Sequence, residues 1–181
     1  MNDDFVLIRE YNKQKDMAQI REMVIEHHNF NTKHYLNTPN GRNAQAQSIA
    51  NAMKNDLAEL EKGQGKTYTG RGAFLVMTLA SDDNILVGCI GLEEHSNPDR
   101  LELRRVTIRE KYHRKGLGRK LIKAVEEHAK KVKIDRLELE TFSAFTAACG
   151  FYNACGFKMK NVSTCQSKVY GDAIIYEKKL K

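Results

Sequence analysis

The run Leu101 to Gly118, reading L-E-L-R-R-V-T-I-R-E-K-Y-H-R-K-G-L-G, constrains the chain more than any other stretch, because an apolar strand ends in a basic turn with two glycines and then opens a helix. Gly116 and Gly118 carry no Cβ, so consecutive backbone N–H groups can turn toward an anion at the positive end of the following helix dipole. His113, Arg114, Lys115, Arg119 and Lys120 surround that turn with donors and positive charge, which suits a ligand bearing several phosphates. The spacing is neither the G-x-G-x-x-G of a Rossmann turn nor the Gly-x4-Gly-Lys-Ser/Thr of a Walker loop. With a further strand at Arg136 to Phe142, the unit predicts a right-handed parallel crossover.

The 181 residues predict one domain spanning the whole chain. An apolar share of 41% and a charged share of 29% describe an ordinary globular protein. No apolar stretch approaches the roughly 18 residues needed to span a bilayer, and the acidic start M-N-D-D-F-V-L-I-R-E does not read as a secretory signal. A cytoplasmic location is expected, with a nuclear one left open. Cys89, Cys149, Cys155 and Cys165 lack C-x-x-C spacing and read as small apolar residues in a reducing compartment rather than as a zinc site. His27, His28 and His34 cluster without partners at ligand spacing, so no metal is expected.

The net charge of +7 is local. Residues 104 to 133 carry twelve Lys and Arg against three Glu, and the remainder holds 18 basic and 20 acidic residues. One polyanion bound at the strand-turn-helix unit accounts for most of this, while Lys123, Lys130, Lys131 and Lys133 read as a solvated helix face. The basic run has a single interleaved aromatic residue, Tyr112, and the remainder of the chain is slightly acidic, which argues against a nucleic-acid partner.

Elsewhere the periodicity predicts a strand at Val6 to Tyr11, a helix at Asp16 to Phe30, a loop at Asn29 to Asn43 and a second helix from Ala44 to Glu61 that stops at Gly63-Gln-Gly65. Strands follow at Gly72 to Ala80 and Ile85 to Glu93, forming a hairpin about Ser81 to Asn84, and at Arg100 to Arg109. Regular pairing would put Leu101, Leu103 and Arg105 on one face of that last strand and Glu102, Arg104, Val106 and Ile108 on the other, unless a bulge near Arg105 or Val106 breaks the alternation. The helix Gly116 to Val132 carries an apolar stripe of Leu117, Leu121, Val125, Ala129 and Val132. After the fifth strand come a helix at Ala144 to Ala154 closed by Gly156 and a hairpin of Phe157 to Thr164 with Ala173 to Leu180, turning near Tyr170-Gly171-Asp172. The expected fold is α/β (α+β): a mixed, mainly antiparallel seven-stranded sheet with about four helices.

Two motifs carry a family resemblance. Residues 113 to 118 resemble the Q/R-x-x-G-x-G/A signature of the GNAT superfamily of N-acetyltransferases, with His113 in place of the usual Gln or Arg. Ala148 to Phe157, A-C-G-F-Y-N-A-C-G-F, resembles the family's A-x-x-x-Y-x-x-x-G-F helix, with Phe145 where an Asn often stands. The element order also matches, which implies the acyl-CoA N-acyltransferase fold with a coenzyme-binding core at about 101 to 157.

The resemblance implies that acetyl-CoA is the cosubstrate and that its pantetheine arm lies between splayed fourth and fifth strands, along Val106, Thr107 and Ile108. The Val106 N–H would face the thioester oxygen. The pyrophosphate would be held at His113, Arg114, Lys115, Gly116, Leu117, Gly118 and Arg119. Tyr152 matches the tyrosine that protonates the leaving thiolate, though a tyrosine on an apolar helix also reads as core. Glu102 stands where some members carry a general base, with Glu93 and Glu94 as alternatives and a plain surface glutamate as the other reading. Phe30, His34 and Tyr35 are candidates to line the acceptor pocket. The expected activity is transfer of an acetyl group to a primary amine, on a small molecule or a protein, by direct attack on the thioester; a coenzyme-binding module without turnover is the alternative. The oligomeric state is left open between monomer and homodimer.

Overall fold

The structure is a computed structural model that describes residues 5–62, 70–163 and 169–180. In chain order the elements are β1 (Val6–Glu10), α1 (Lys13–Tyr35), α2 (Pro39–Lys54), α3 (Asp56–Lys62), β2 (Ala73–Leu79), β3 (Asp82–Glu94), β4 (Arg100–Ile108), a 3-10 turn (Glu110–Tyr112), α4 (Leu117–Lys131), β5 (Arg136–Phe142), α5 (Thr146–Ala154), β6 (Lys158–Ser163) and β7 (Ala173–Lys179). One seven-stranded sheet runs in the order β1-β2-β3-β4-β5-β7-β6. β4 and β5 pair parallel and every other neighbouring pair is antiparallel. This is the expected fold.

The first helices differ from the expectation. The loop expected at 29 to 43 is helical over most of its length, because α1 runs on to Tyr35 and α2 starts at Pro39. The local signals are two caps: the Asn12 side chain accepts from the N–H groups of Gln14 and Lys15, and Thr38 Oγ1 accepts from the Gly41 N–H ahead of a proline in the first turn. Buried Asn31 and Leu36 then hold a polar stretch helical by packing, overriding weak propensity. The helix expected at 44 to 61 is divided at Asn55 into α2 and α3, giving five α-helices among the described residues. The expected stop at 63 to 65 lies outside the described residues, as do Thr164 and Cys165.

β2, A-F-L-V-M-T-L, is apolar on both faces because both are covered. Phe74 and Val76, with Leu86 and Cys89 of β3, face Met17, Ile20, Met23 and Val24 of α1 and Leu57 and Leu60 of α3. Leu75, Met77, Ile90 and Leu92 face the opposite layer, where Leu117, Leu121, Val125 and Ala129 of α4 pack with Leu101, Leu103, Leu137, Leu139 and Tyr176. β4 and β5 alternate instead: their leucines face α4, while Glu102, Arg104, Glu138 and Glu140 face the other way.

α5 closes as expected on Gly156, whose φ is +86°. The Phe157 N–H donates to Tyr152 O at 3.1 Å and the Gly156 N–H to Asn153 O at 3.0 Å, a Schellman turn. An alanine Cβ at 156 would meet only the Lys178 side chain at 3.5 Å, so its cost is conformational. Gly156→Ala is expected to destabilise the fold by about 1 kcal/mol, read as a lower urea midpoint at unchanged slope.

Candidate active site

β4 and β5 pair at only three positions, Arg100–Arg136, Leu101–Leu137 and Glu102–Glu138, although the strands continue to Ile108 and Phe142. Above Glu102 they part into a V. Its closed end is clamped by charge: Arg100 Nη1 donates to Glu138 Oε2 at 2.8 Å and to Glu177 Oε2 at 3.3 Å, Lys160 Nζ reaches the same two oxygens at 2.8 and 3.3 Å, and His95 Nε2 lies 3.4 Å from Glu138 Oε1. The side chains of Arg100 and Glu138 are about 10% exposed. Burial alone would raise the Glu138 carboxyl, but the hydrogen bonds from Lys160 and Arg100 outweigh it and hold the group below the usual carboxylate range.

The wall of the V formed by β4 is kinked. Gly91 pairs with Arg104 and Cys89 with Thr107, so Ile90 faces both Arg105 and Val106 in a β-bulge, with Arg105 at φ +52°. The bulge lies where the sequence allowed for it, and it corrects the regular alternation: Val106 and Ile108 pack toward the α4 layer, while Thr107 turns to the face of Cys89. Buried Cys89 Sγ lies 3.5 Å from the Arg105 carbonyl, which marks where the bulge seats on β3. Burial pushes that thiol up to about 12, so it stays protonated and donates.

β4 then runs into the glycine turn. Arg109 is anchored to Leu86 O and to Glu22 and Glu26 of α1. Arg114 at φ +61° and Gly116 at φ +77° bend the chain into α4, whose amino terminus has no side-chain cap. The two glycines have different reasons. Gly116 supplies the left-handed conformation, whereas a Cβ on Gly118 would stand 2.9 Å from the Phe151 ring. Several of the cationic side chains point elsewhere. His113 Nε2 lies 2.8 Å from Ile108 O, Arg119 Nη1 donates to Ala154 O at 2.9 Å, and Lys115 Nζ sits 5.4 Å over the Tyr112 ring. What the turn presents is mainly the backbone of residues 116 to 118 on an open helix end.

At the base of the V, Glu102 and its register partner Glu93 both approach Arg104 Nε, at 3.4 and 3.1 Å. Burial raises the Glu102 carboxyl; Arg104 opposes this and Glu93 adds to it. Glu94, the other alternative, accepts from the Arg71 backbone N–H and from Nε, bonds that hold it low. Tyr152 on α5 is buried, its ring 5.3 Å from Phe151, 5.9 Å from Phe157 and 6.2 Å from Tyr176, and burial raises its hydroxyl further. Of the acceptor candidates, Phe30 and His34 contact each other at 4.3 Å, and Tyr35 reaches Phe145 at 5.9 Å. His27, read as uninformative in the sequence, is pushed down to about 4 by burial with His28, Arg105 and His113 nearby, so it is neutral at pH 7. Among the described residues no group of three or more His, Cys, Asp or Glu is placed to hold a metal ion, and no helix is long and apolar enough to cross a membrane.

This arrangement is that of a known family. The model of the acetyltransferase (GNAT) family matches residues 42–157, and the chain belongs to that family. It is 31% identical over 93 residues to the probable N-acetyltransferase 14 of Xenopus tropicalis, a match covering 51% of this chain and 45% of that protein. The chain thus matches about half the length of that relative. An acetyltransferase of the GNAT family from Staphylococcus aureus Mu50 superposes with a TM-score of 0.69 at 23% identity, over 97% of this chain and 99% of that one. The PaiA N-acetyltransferase from Thermoplasma acidophilum, solved in complex with coenzyme A, superposes with a TM-score of 0.70 at 19% identity, over 96% and 98%.

The clamp at the closed end yields a prediction. Arg100→Met leaves the Glu138 carboxylate with less compensation and is expected to cost about 3 kcal/mol near pH 7. Because the Glu138 pKa is lowered by folding, its contribution is present above the unfolded value and lost as pH falls through the folded one. Urea titrations of both proteins should therefore diverge near neutrality and converge as pH falls through the lowered Glu138 pKa; a constant gap would show that Arg100 acts through packing alone.

Proposed function

We propose that the protein is an acetyl-CoA-dependent N-acetyltransferase that moves the acetyl group to a primary amine by direct attack on the thioester. The observation that carries this reading is the V between β4 and β5 with an uncapped helix amino terminus at its open end. The V gives an extended thioester arm a slot with backbone on one side, and the helix end gives a pyrophosphate its donors. The family match and the coenzyme A complex of the Thermoplasma neighbour support the same ligand.

Each group then has a role. Val106, Thr107 and Ile108 line the slot, and the bulge frees the Val106 N–H to meet the thioester oxygen as negative charge develops there, an interaction worth about 3 kcal/mol in the transition state. Arg114, with the backbone of Lys115, Gly116, Leu117, Gly118 and Arg119, holds the pyrophosphate. His113 shapes the turn by donating to Ile108 O and leaves phosphate contact to its neighbours. Glu102 takes a proton from the ammonium form of the acceptor, directly or through water, and its raised pKa brings it closer to the working pH of a base. Tyr152, kept protonated by burial, returns a proton to the leaving thiolate. The amine nitrogen forms a bond to the acetyl carbon, the carbon–sulfur bond breaks, coenzyme A leaves as the thiol, and the second proton lost by the nitrogen restores the Tyr152 hydroxyl.

Acetyl-CoA is expected to raise the melting temperature well above any shift given by ATP, with thiol release in the presence of an amine; no shift at millimolar acetyl-CoA would exclude the enzyme. Tyr152→Phe is expected to lower kcat at least tenfold with coenzyme affinity little changed, and an unaltered kcat would remove Tyr152 from the reaction. In the wild type kcat/KM should rise with pH through the elevated Glu102 pKa, and Glu102→Gln should abolish that limb. Because folding raises the Glu102 pKa, ionising it works against the native state, so Glu102→Gln should be at least as stable as the wild type at pH 7.

A further inference from the structure

The open end of the V is bridged by rings. His113, tied through Nε2 to the carbonyl of Ile108, the last residue of β4, stands edge-on to Phe30 at 5.2 Å. Phe30 meets Tyr35 at 6.4 Å, Tyr35 meets Phe145 at 5.9 Å, and Phe145 meets Phe142, the last residue of β5, at 6.1 Å. The contacts form an arch from the tip of one splayed strand to the tip of the other, with α1 as its keystone. Tyr170 braces the β5 side, 5.1 Å from Phe142 and bonded through its hydroxyl to Ser48 of α2 at 2.9 Å.

Core packing does not account for these rings. Phe157 and Tyr152 are 2% and 9% exposed, whereas Phe30, Tyr35, Phe142, Phe145 and Tyr170 are all only half-buried. Along the arch the ring planes meet at 65 to 81°, so neighbours touch edge to face and part of each ring surface stays open. Open aromatic surface takes a flat ring by stacking and tolerates one ammonium group through the ring quadrupole. A polyamine fits poorly, since residues 27 to 45 contain Lys33 and Arg42 and no acidic residue. Of the carboxylates beside Phe30, Glu22 and Glu26 are already engaged by Arg109, while Glu102 and Glu93 stand at the other end of the slot.

We propose that this arch is the acceptor wall and that it selects a primary amine carried on a flat aromatic group, the ring against Tyr35 and Phe145 and the single ammonium directed into the V, from which its proton reaches Glu102 through water. The proposal rests on the acetyltransferase reading and names its substrate class.

Tryptamine is a suitable probe, because the chain contains no tryptophan and indole fluorescence then reports the ligand alone. With coenzyme A present, tryptamine emission should change saturably on binding to the full chain. In thiol-release assays with acetyl-CoA, kcat/KM for tryptamine should exceed that for n-butylamine and for spermidine at least tenfold. Tyr35→Ala and Phe145→Leu, the second of which keeps apolar bulk while removing the ring, should each cut the tryptamine to n-butylamine ratio at least fivefold while the acetyl-CoA melting shift persists. A ratio near one in the wild type, a preference for spermidine, or variants that leave the ratio unchanged would overturn the proposal. Loss of the acetyl-CoA shift in the wild type would instead overturn the enzyme reading. In that case fluorescence still decides the wall: tryptamine binding weakened by Phe145→Leu upholds it, and absence of binding ends it.

Discussion

The structure depends on a parallel pairing that is allowed to fail. Two parallel strands buried side by side would ordinarily form a continuous ladder, yet β4 and β5 share only three register positions before diverging. Divergence in the middle of a sheet exposes backbone, and the closed end must hold against it. That end combines leucines packed on α4 with Arg100, Glu138, Glu177 and Lys160 on the opposite face. Carboxylates from adjacent strands are tolerated there because cations from two other strands interleave with them.

The bulge at Arg105 and Val106 is the second half of the same device. It costs on the order of 1 kcal/mol to hold a non-glycine residue in the left-handed region, and the surroundings enforce it: β3 resumes its ladder at Cys89 and Thr107, the Cys89 thiol meets the Arg105 carbonyl, and Arg109 is fastened to α1 two residues beyond Thr107. The one-residue insertion turns Thr107 toward the α1 layer and Val106 and Ile108 toward α4. Strand direction, backbone exposure and the docking of α1 are thus set together over five residues.

The parts of this design legible in the sequence are those coded locally. The glycine turn, the apolar stripe of α4, the Tyr152 helix with its Gly156 stop and the succession of strands along the chain all follow from spacing or motif. The register break could be located at Arg105 or Val106 because the alternation there fails to match any one face. Asn12 and Thr38-Pro39 were readable caps, but the polar stretch between them looked like a loop because its helicity comes from buried Asn31 and Leu36. The clamp and the arch have no local signature: Arg100 and Glu138 are 38 residues apart, and Tyr35 meets Phe145 across more than a hundred. His113, the first motif position, and Arg119, just past its end, show the reverse case, with side chains that bond to Ile108 and Ala154.

That last detail separates two jobs that a basic segment is often assumed to do at once. Under the proposed coenzyme reading, with His113 and Arg119 engaged internally, recognition at the turn would fall largely to main-chain amides, whose geometry depends on the two glycines. The net positive charge of residues 104 to 133 would then act mainly at a distance, drawing a polyanion toward the turn through a field that extends about one Debye length, roughly 8 Å in physiological salt. On that reading ionic strength would govern how often a ligand arrives, and the peptide backbone how long it stays.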